Sequence, residues 1–254
     1  MISDITITYN NKEGLIRTLD SFLEQTNKDF EVIVVDGGSE DGSEDVLKEY
    51  TPKFEDREIP YRFVSEKDNG RYDAMNKGIT LAKGDWVCFI NAGDRLSSDI
   101  VIDKVSNELS TEYDIVYGDN RWCSDSNVDY HKASKNIDSI KKGLPFSHQS
   151  VFTRTELFKQ RSYDSNLKIS GDYEWFLGAY LENKRFKYVD ICVSDFYLDG
   201  ISSFNRYDTY KEVLKIREKY GVNDPFIIRG IKSIVWWGID KLGVENRKVI
   251  KKIN

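Results

Sequence analysis

Residues 65–94 read SEKDNGRYDAMNKGITLAKGDWVCFINAGD, and they are the most informative segment for the fold class. It begins with a polar segment containing glycine, continues with helical spacing over 74–82, and then forms the apolar run 86–90, which predicts a buried strand. Asp94 follows that strand after Asn-Ala-Gly. Open α/β sheets bind ligands at the C-terminal ends of their strands, so the stretch predicts a ligand site at the edge of such a sheet.

The same alternation of strand and helix runs from the N-terminus to this stretch. Strands are predicted at 5–8, 30–35 and 61–65, and helices at 14–25 and 43–50. Such alternation across short turns containing glycine predicts βαβ units and a mostly parallel sheet. The later spacing is less regular, so we expect a mixed sheet there. In that part strands are predicted at 115–117, 149–152 and 188–193, and helices near 100–109 and 172–181.

Composition restricts the classes of protein to which this chain can belong. Its 254 residues are 39% hydrophobic and 31% charged, which is typical of a folded globular protein. The net charge of −6 argues against broad nucleic-acid binding, which needs clustered Lys and Arg side chains. The three cysteines are scattered, and no window reaches the roughly 20 apolar residues of a membrane span. We therefore expect a cytoplasmic protein without nucleic-acid partners.

Two carboxylates are predicted to follow buried strands. Asp36 ends the run 30–35, where it can accept hydrogen bonds from a ribose or a base; alternatively it forms the turn and caps the next helix. Asp94 can bind a hard cation such as Mg²⁺ together with phosphate oxygens, or it can cap the helix that follows. The residues alone leave both alternatives open.

A polar loop lies between these two carboxylates in the sequence. It contains Asp68 and Arg71, and Lys77 follows on the predicted helix. Arg71 and Lys77 can contact phosphate groups, and Arg can do so through two hydrogen bonds at once. A loop whose charges are simply solvated is an equally good interpretation of this segment by itself.

Two further titratable residues stand out in the second half of the chain. His148, in FSHQS, can ligate a metal or contact a diphosphate, although a single His is more often structural. Asp172 precedes or begins a helix with an apolar face, where it can act as a general base or cap the helix. Glu174 is expected to point away from it if the helix begins there.

Taken together, these segments resemble glycosyltransferase family 2, the inverting enzymes of GT-A fold. Residues 5–10 (ITITYN) are similar to the first strand and turn of the family, and 29–43 (DFEVIVVDGGSEDGS) to its most recognisable segment. Residues 66–70 (EKDNG) and 75–79 (MNKGI) are similar to the next segment of the family, and residues 84–94 to the strand that carries the metal motif. The resemblance weakens after Asp94 and ends near Leu198.

The resemblance implies an α/β fold with a central, mostly parallel sheet flanked by helices. Residues 1–205 would form the GT-A catalytic domain, with a nucleotide-binding half at 1–98 and an acceptor-binding half at 99–205. Residues 206–254 would form a helical, basic, amphipathic extension.

The resemblance also implies a role for each matching residue. Asp94 would bind the divalent ion, and Asp172 would be the base that deprotonates the acceptor hydroxyl. The nucleotide-binding residues would be Thr8, Tyr9, Asp36 and Asp68, to which the polar-loop argument adds Arg71 and Lys77.

Two segments depart from the pattern of the family. The metal motif is usually Asp-x-Asp, but residues 91–94 are Asn-Ala-Gly-Asp, so a single carboxylate remains. One carboxylate with diphosphate and water can hold Mn²⁺ or Mg²⁺, and we expect weaker metal binding, with His148 as the second candidate ligand. Residues 171–175 (GDYEW) replace the commoner Glu-Asp pair around the implied base.

The expected enzyme transfers a hexosyl or N-acetylhexosaminyl group from a nucleotide-diphosphate donor, a UDP-sugar in the first place. The acceptor would be a glycan or a lipid-linked saccharide in bacterial cell-surface polysaccharide synthesis. Two alternatives stay open. A sugar nucleotidyltransferase typically carries a Gly-rich basic loop after its first strand, which residues 9–12 (YNNK) match poorly. A non-catalytic relative would bind sugar nucleotides or glycans without turnover.

The C-terminal segment 225–254 is basic, with seven basic and two acidic residues. Its apolar residues fall on one helical face between 227 and 242, accompanied by Trp236 and Trp237. This pattern is typical of a helix lying in an anionic membrane interface. A helix docked on the catalytic domain or on a second subunit is the alternative. If the segment lies in a membrane interface, the protein also makes peripheral contact with the inner face of the cell membrane.

Overall fold

The computed structural model describes residues 1–124, 127–197 and 206–222. Its strands are β1 (Ile2–Thr8), β2 (Phe30–Asp36), β3 (Tyr61–Ser65), β4 (Trp86–Phe89), β5 (Arg95–Leu96), β6 (Ile115–Ser124), β7 (Asn127–His131), β8 (Val151–Arg154) and β9 (Phe186–Tyr197). Its α-helices are α1 (Lys12–Leu23), α2 (Ser43–Asp56), α3 (Arg71–Leu81), α4 (Val101–Ser106), α5 (Thr155–Gln160), α6 (Gly171–Leu181) and α7 (Arg206–Lys219). Two 3₁₀ turns cover Ile137–Lys141 and His148–Ser150.

One mixed sheet contains all the described strands, in the order β3-β2-β1-β4-β8-β6-β9-β5, with β7 paired to β6. β1 runs parallel to β2 and to β4, and β2 runs parallel to β3, so the C-terminal ends of these four strands meet at one edge. β8 is antiparallel to both β4 and β6, whereas β9 is parallel to β6. The mixed sheet expected in the second half is therefore confirmed.

Helices cover both faces of the parallel part of the sheet, which explains why its strands read as unbroken apolar runs. On one face, α1 and α2 pack their apolar residues against Val32 and Val34 of the fully buried β2. On the other face α3 crosses β1 closely at Gly78, where an added methyl group would lie 2.5 Å from Ile5. The absence of a side chain at Gly78 lets the helix approach the sheet.

The structure corrects several predicted boundaries. The strand predicted at 149–152 is found at Val151–Arg154, because His148–Ser150 turns before it. The helix predicted at 74–82 already begins at Arg71, since Gly70, with a φ of 119°, turns the chain there. β1 begins at Ile2 rather than at residue 5, because two polar residues before Ile5 are buried in the sheet and do not look like strand residues. The helix predicted near 100–109 is shorter, Val101–Ser106.

The chain divides into two compact units, residues 1–199 and 200–254. In the second unit the described part is α7 with the three residues after it. The apolar face predicted between 227 and 242 and the basic residues up to Lys252 lie outside the described residues, so membrane contact stays a prediction. Within the described ranges, none of the helices is long and apolar enough to cross a membrane.

Candidate active site

The candidate site lies at the C-terminal ends of β1, β2 and β4. Thr8 pairs in register with Asp36 across the first two strands. The chain after β4 continues along β1, where the Ala92 N–H donates to the Ile7 carbonyl at 3.1 Å. The loops that follow these three strands are therefore neighbours, as the parallel arrangement requires.

The carboxylate of Asp36 holds the loop that follows its own strand. Asp36 is fully buried, and its oxygens accept hydrogen bonds from the Ser39 N–H at 3.1 Å, from the Ser39 hydroxyl and from the Ser65 hydroxyl at 2.6 Å. These contacts agree with the turn-forming alternative for Asp36. Its direct contact with a nucleotide stays a prediction.

Three of the predicted nucleotide-binding residues surround the bare backbone of Gly37. A methyl group at Gly37 would lie 2.5 Å from Asp68 Oδ2 and 3.3 Å from the ring of Tyr9. Tyr9 is 66% exposed, and Asp68 Oδ1 accepts the Gly70 N–H at 2.8 Å. The Thr8 hydroxyl is buried and has no hydrogen-bond partner among the described residues. An exposed ring, a carboxylate and an unpaired hydroxyl offer stacking and hydrogen bonds to a base and a ribose.

The two cations predicted to contact phosphate have different surroundings. Lys77 Nζ lies 2.8 Å from Glu66 Oε1 and donates to the Lys67 carbonyl at 3.1 Å. The hydrogen bond to Glu66 raises the pKa of Lys77, so Lys77 is charged and ties the loop to α3. Arg71 begins α3, and the described parts of the chain contain no ion pair of its guanidinium. Arg71 is therefore the better available cation of the two.

Several hydrogen bonds hold Asp94 in place, and the residue is only 6% exposed. Its Oδ2 accepts from Gln149 Nε2 at 2.9 Å, and its Oδ1 accepts from the Tyr197 N–H at 3.2 Å. Its own carbonyl accepts from the Thr18 hydroxyl at 2.6 Å. The residue after Asp94 begins β5, so the alternative that Asp94 caps a following helix is wrong.

His148 joins the loop after β4 to the start of α6. Its Nε2 lies 3.1 Å from Asn91 Nδ2, and its Nδ1 lies 3.6 Å from Asp172 Oδ2. Burial lowers the pKa of His148, Asp172 opposes this effect and Arg71 adds to it, so the imidazole is neutral at pH 7. Because Gln149 holds Asp94, the adjacent residues His148 and Gln149 bring the carboxylates of Asp172 and Asp94 into one site.

The start of α6 is determined by a tyrosine on α3. The Tyr72 hydroxyl accepts from the Gly171 N–H at 2.7 Å and donates to the Ile169 carbonyl at 2.6 Å. A methyl group at Gly171 would lie 2.7 Å from the ring of Tyr72, so any side chain there would displace the ring. Asp172 follows directly, and Glu174 points away toward Arg161 Nη2 at 3.6 Å, as expected.

Three residues of this site, Tyr72, Asn91 and Gln149, were missed by sequence reasoning. Gln149 is adjacent to His148 and Asn91 lies three residues before Asp94, so proximity in the sequence was an available signal for both. The contact of Tyr72 with the start of α6 spans 99 residues and has no local signal. Burial raises the pKa of Tyr72 strongly, with a further contribution from the charge of Asp172, so its hydroxyl stays protonated.

The residues that could hold a divalent ion are few. Residues 1–124, 127–197 and 206–222 contain no group of three or more His, Cys, Asp or Glu side chains arranged to hold a metal. Asp94 supplies one carboxylate, Asn91 Oδ1 is buried without a hydrogen-bond partner in the described chain, and His148 lies beside Asn91. One carboxylate, an amide oxygen and donor phosphates suit Mg²⁺ or Mn²⁺. These residues therefore fit an ion that binds together with its nucleotide.

Comparison with known sequences identifies related proteins. The sequence model described as glycosyl transferase family 2 matches residues 3–171, well over half of the chain. A PGL/p-HBAD biosynthesis glycosyltransferase from Mycobacterium bovis is 32% identical over 185 residues, which cover 69% of this chain and 68% of the relative.

Comparison with solved structures gives the same fold. TarS 1–349 of S. aureus in complex with UDP-GlcNAc has a TM-score of 0.68 at 18% identity, covering 91% of this chain and 72% of that one. Its complex with UDP has a TM-score of 0.66 at 20% identity, covering 89% of this chain and 66% of that one. The mannosyltransferase PcManGT from Pyrobaculum calidifontis in complex with GDP-Man and Mn²⁺ has a TM-score of 0.68 at 15% identity. The match covers 94% of this chain and 69% of PcManGT. The expected α/β GT-A fold is confirmed, and the chain spans about two thirds of the length of these relatives.

Proposed function

The chain belongs to glycosyltransferase family 2, and on this basis we propose that it transfers a sugar from a nucleotide-diphosphate donor to a saccharide hydroxyl in one displacement with inversion. The observation that carries the proposal is the turn at His148–Ser150, whose first residue faces Asp172 and whose second holds Asp94. One carboxylate can then accept the proton of the acceptor while the other lies beside the diphosphate of the donor.

Asp172 acts as the general base in this proposal. It accepts the proton of the attacking hydroxyl as the bond from that oxygen to the anomeric carbon forms and the bond to the diphosphate breaks. The neutral His148 lies with its Nδ1 3.6 Å from Asp172 Oδ2 and does not cancel the charge of the carboxylate. Arg71, at the start of α3, stabilises the charge that develops on the leaving diphosphate.

The donor site also fits a divalent ion. Asp94 would hold it, with Asn91 and His148 as neighbouring donors, and the bound ion would neutralise charge on the leaving diphosphate. Asp94 keeps its direction through Gln149 and the Tyr197 N–H. The nucleotide itself is held by Thr8, Tyr9, Asp36 and Asp68, and Lys77 keeps the loop before α3 in place.

The donor is a UDP-sugar carrying a hexosyl or N-acetylhexosaminyl group in this proposal. TarS is described in complex with UDP and UDP-GlcNAc, which supports a uridine nucleotide, whereas PcManGT is described with GDP-Man. The acceptor is a glycan or lipid-linked saccharide of the bacterial surface. The mycobacterial relative is described as a glycosyltransferase of PGL/p-HBAD biosynthesis, which supports a glycoconjugate acceptor. In this proposal the enzyme acts in the cytoplasm, at the inner face of the membrane, where the basic C-terminal segment 225–254 binds lipid.

The first experiment measures nucleotide binding by thermal shift with UDP, GDP, CDP and their sugar conjugates, each with Mn²⁺ or with chelator. A ligand at about 100 times its dissociation constant adds about 2.7 kcal/mol to the free energy of unfolding, which shifts the melting temperature measurably. A shift with one nucleotide that requires Mn²⁺ would support Asp94 as a ligand and select the donor for transfer assays. A protein that responds to none of these nucleotides would contradict the proposal.

The second experiment replaces the proposed base. Asp172→Asn should reduce transfer by about 10²- to 10⁴-fold, because a positioned general base contributes a factor of this size. Nucleotide affinity should stay near that of the wild type, since Asp172 lies on α6 and not in the nucleotide loops. Asp85→Asn is the matched control, because Asp85 is exposed at the opposite, N-terminal end of β4. Equal losses of transfer and of nucleotide affinity in Asp172→Asn would show that Asp172 is not the base.

A further inference from the structure

A cluster of aromatic side chains lies on the hairpin of β6 and β7, outside the residues assigned to the donor. The ring of Trp122 stacks on the ring of His131, with centroids 3.9 Å apart and 22° between the planes. Phe196 of β9 approaches the same indole edge-on at 6.2 Å. Trp122 nevertheless keeps 40% of its surface exposed. These three residues are called the aromatic platform below.

Strand register shows that the platform is continuous on one face of the sheet. Trp122 pairs with Phe196 across β9 and with Asp129 across β7, and Asn120 pairs with His131. Residues opposite one another on neighbouring strands point to the same face, as do residues two apart on one strand. The platform therefore shares its face with Asn120 and Asp129.

The platform starts at the candidate active site. Phe196 precedes Tyr197, whose N–H donates to Asp94 Oδ1 at 3.2 Å. Arg95, the residue after Asp94, pairs in register with Asp195 of β9. From Asp94 the platform thus crosses β9, β6 and β7, whose axes lie about 5 Å apart. It extends away from the donor site over a length comparable with that of a disaccharide.

Polar groups on the same face complement the rings. Asn120 is only 5% exposed, and its Nδ2 has no hydrogen-bond partner among the described residues. A buried N–H group without a partner is unfavourable, so a ligand oxygen that displaced the atoms covering Nδ2 would gain a hydrogen bond there. Asp129 is exposed beside Trp122 in register and offers a carboxylate as acceptor.

These features together match the chemistry of a sugar ring. A pyranose presents an apolar C–H face that can lie on an aromatic ring, and hydroxyl groups that both donate and accept hydrogen bonds. We propose that the aromatic platform binds the acceptor saccharide, at the rings beyond the hydroxyl that receives the new sugar. This inference rests on the proposed function, because it takes the acceptor of that reaction as its ligand.

The test measures binding of p-nitrophenyl hexopyranosides, as model acceptors, to the full chain by saturation-transfer NMR in the presence of UDP and the diamagnetic ion Mg²⁺. The panel contains α- and β-anomers of glucose, galactose, mannose and N-acetylglucosamine. At least one glycoside should bind the wild type, and Trp122→Ala should weaken it about tenfold, the change that follows from the loss of about 1.4 kcal/mol of stacking. His131→Ala should weaken it less, because the indole remains.

Val128→Ala is the matched control. Val128 is 62% exposed on the same hairpin and pairs with Cys123, so it points to the opposite face from Trp122. This variant should bind the glycoside like the wild type. The thermal shift with UDP should be unchanged in all three variants, which also shows that each of them is folded.

The possible outcomes separate this inference from the proposed function. If UDP binds but no glycoside does, or if Trp122→Ala binds the glycoside as tightly as Val128→Ala, the platform is not an acceptor site and the glycosyltransferase proposal stands. If a glycoside binds through Trp122 while no nucleotide shifts the melting temperature, the platform is a saccharide site and the proposed transfer from a nucleotide donor fails.

Discussion

At the scale of single residues, Asp4 is a titratable side chain that is buried inside a strand of the sheet. It lies in the middle of β1 and is fully buried, next to Cys88 of β4. Burial raises the pKa of Asp4 to about 8, and the neighbouring thiol of Cys88 opposes this only in part. The carboxyl group is therefore mainly protonated in the folded protein at neutral pH.

A pH-dependent stability follows from this shift. The pKa of Asp4 is 3.8 when the chain is unfolded and about 8 when it is folded, so the folded state binds more protons between these values. Stability should therefore fall as the pH rises toward 8, by up to about 1.4 kcal/mol per pH unit. Asp4→Asn should remove this slope. Urea unfolding of both proteins between about pH 6.5 and 8 measures it, and the titration of His148, which both proteins share, cancels in the difference between them.

Asp85→Asn again serves as the control, because Asp85 is exposed and should leave the slope of the wild type unchanged. If the free energy of unfolding of Asp4→Asn falls with pH as steeply as that of the wild type, the slope comes from another group.

At the scale of helices and strands, the direction of the proposed base depends on a contact between α3 and α6. The first N–H groups of a helix have no partner within the helix. At the start of α6, the Tyr72 hydroxyl supplies one for Gly171, and it also donates to the carbonyl of Ile169. Asp172 follows at once, so α3 fixes the position of the base as well as that of Arg71. One helix thereby aligns the two residues that are proposed to act on the donor and on the acceptor.

Tyr72→Phe tests this alignment, because it removes the hydroxyl and keeps the ring against Gly171. Two backbone groups at the start of α6 lose their partner, so the free energy of unfolding should fall by about 1–3 kcal/mol. The turnover number for transfer should fall more than the affinity for nucleotide. Denaturant unfolding and steady-state kinetics measure the two effects.

Tyr113→Phe is the matched control for this variant. The Tyr113 hydroxyl makes no hydrogen bond within the described part of the chain, so its removal should change neither stability nor turnover appreciably. A Tyr72→Phe protein with the turnover of the wild type would show that Asp172 is positioned without this contact.

At the scale of the whole molecule, charge is divided unevenly along the chain. The segment 225–254 carries a net charge of +5, and the remaining residues carry −11. A basic segment with Trp236 and Trp237 beside apolar residues is suited to an anionic lipid surface, while an acidic catalytic unit is repelled by that surface. Such a distribution would hold the enzyme at the membrane by its C-terminal segment alone.

Flotation with vesicles tests this expectation. The full chain should float with vesicles containing phosphatidylserine, and it should be released at high salt, because each Lys or Arg near an anionic surface contributes about 1 kcal/mol. Phosphatidylcholine vesicles are the lipid control, and the double variant Trp236→Ala, Trp237→Ala should float less. If the chain floats with neither kind of vesicle, the prediction of membrane contact fails, and the alternative in which the segment docks on protein is favoured.

Local sequence patterns were sufficient to predict the strands of the nucleotide half, the two carboxylates at their ends and the family. Apolar runs such as 30–35 specify a buried strand locally, and the position of Asp36 and Asp94 after such strands follows from chain order. The resemblance to glycosyltransferase family 2 is confirmed by the comparisons. The roles of the site residues and the metal stay predictions, because the residues alone do not show what a ligand contacts.

The contacts between side chains that are distant in the sequence became known from the folded structure. Gln149 reaches Asp94 across 55 residues, Tyr72 reaches Gly171 across 99, and Trp122 stacks on His131 through the register of β6 and β7. Tertiary structure also placed β5 directly after Asp94, which removed the helix-cap alternative. Local propensity acts over a few residues, whereas these contacts arise from strand register and helix packing, which depend on the fold of the whole sheet.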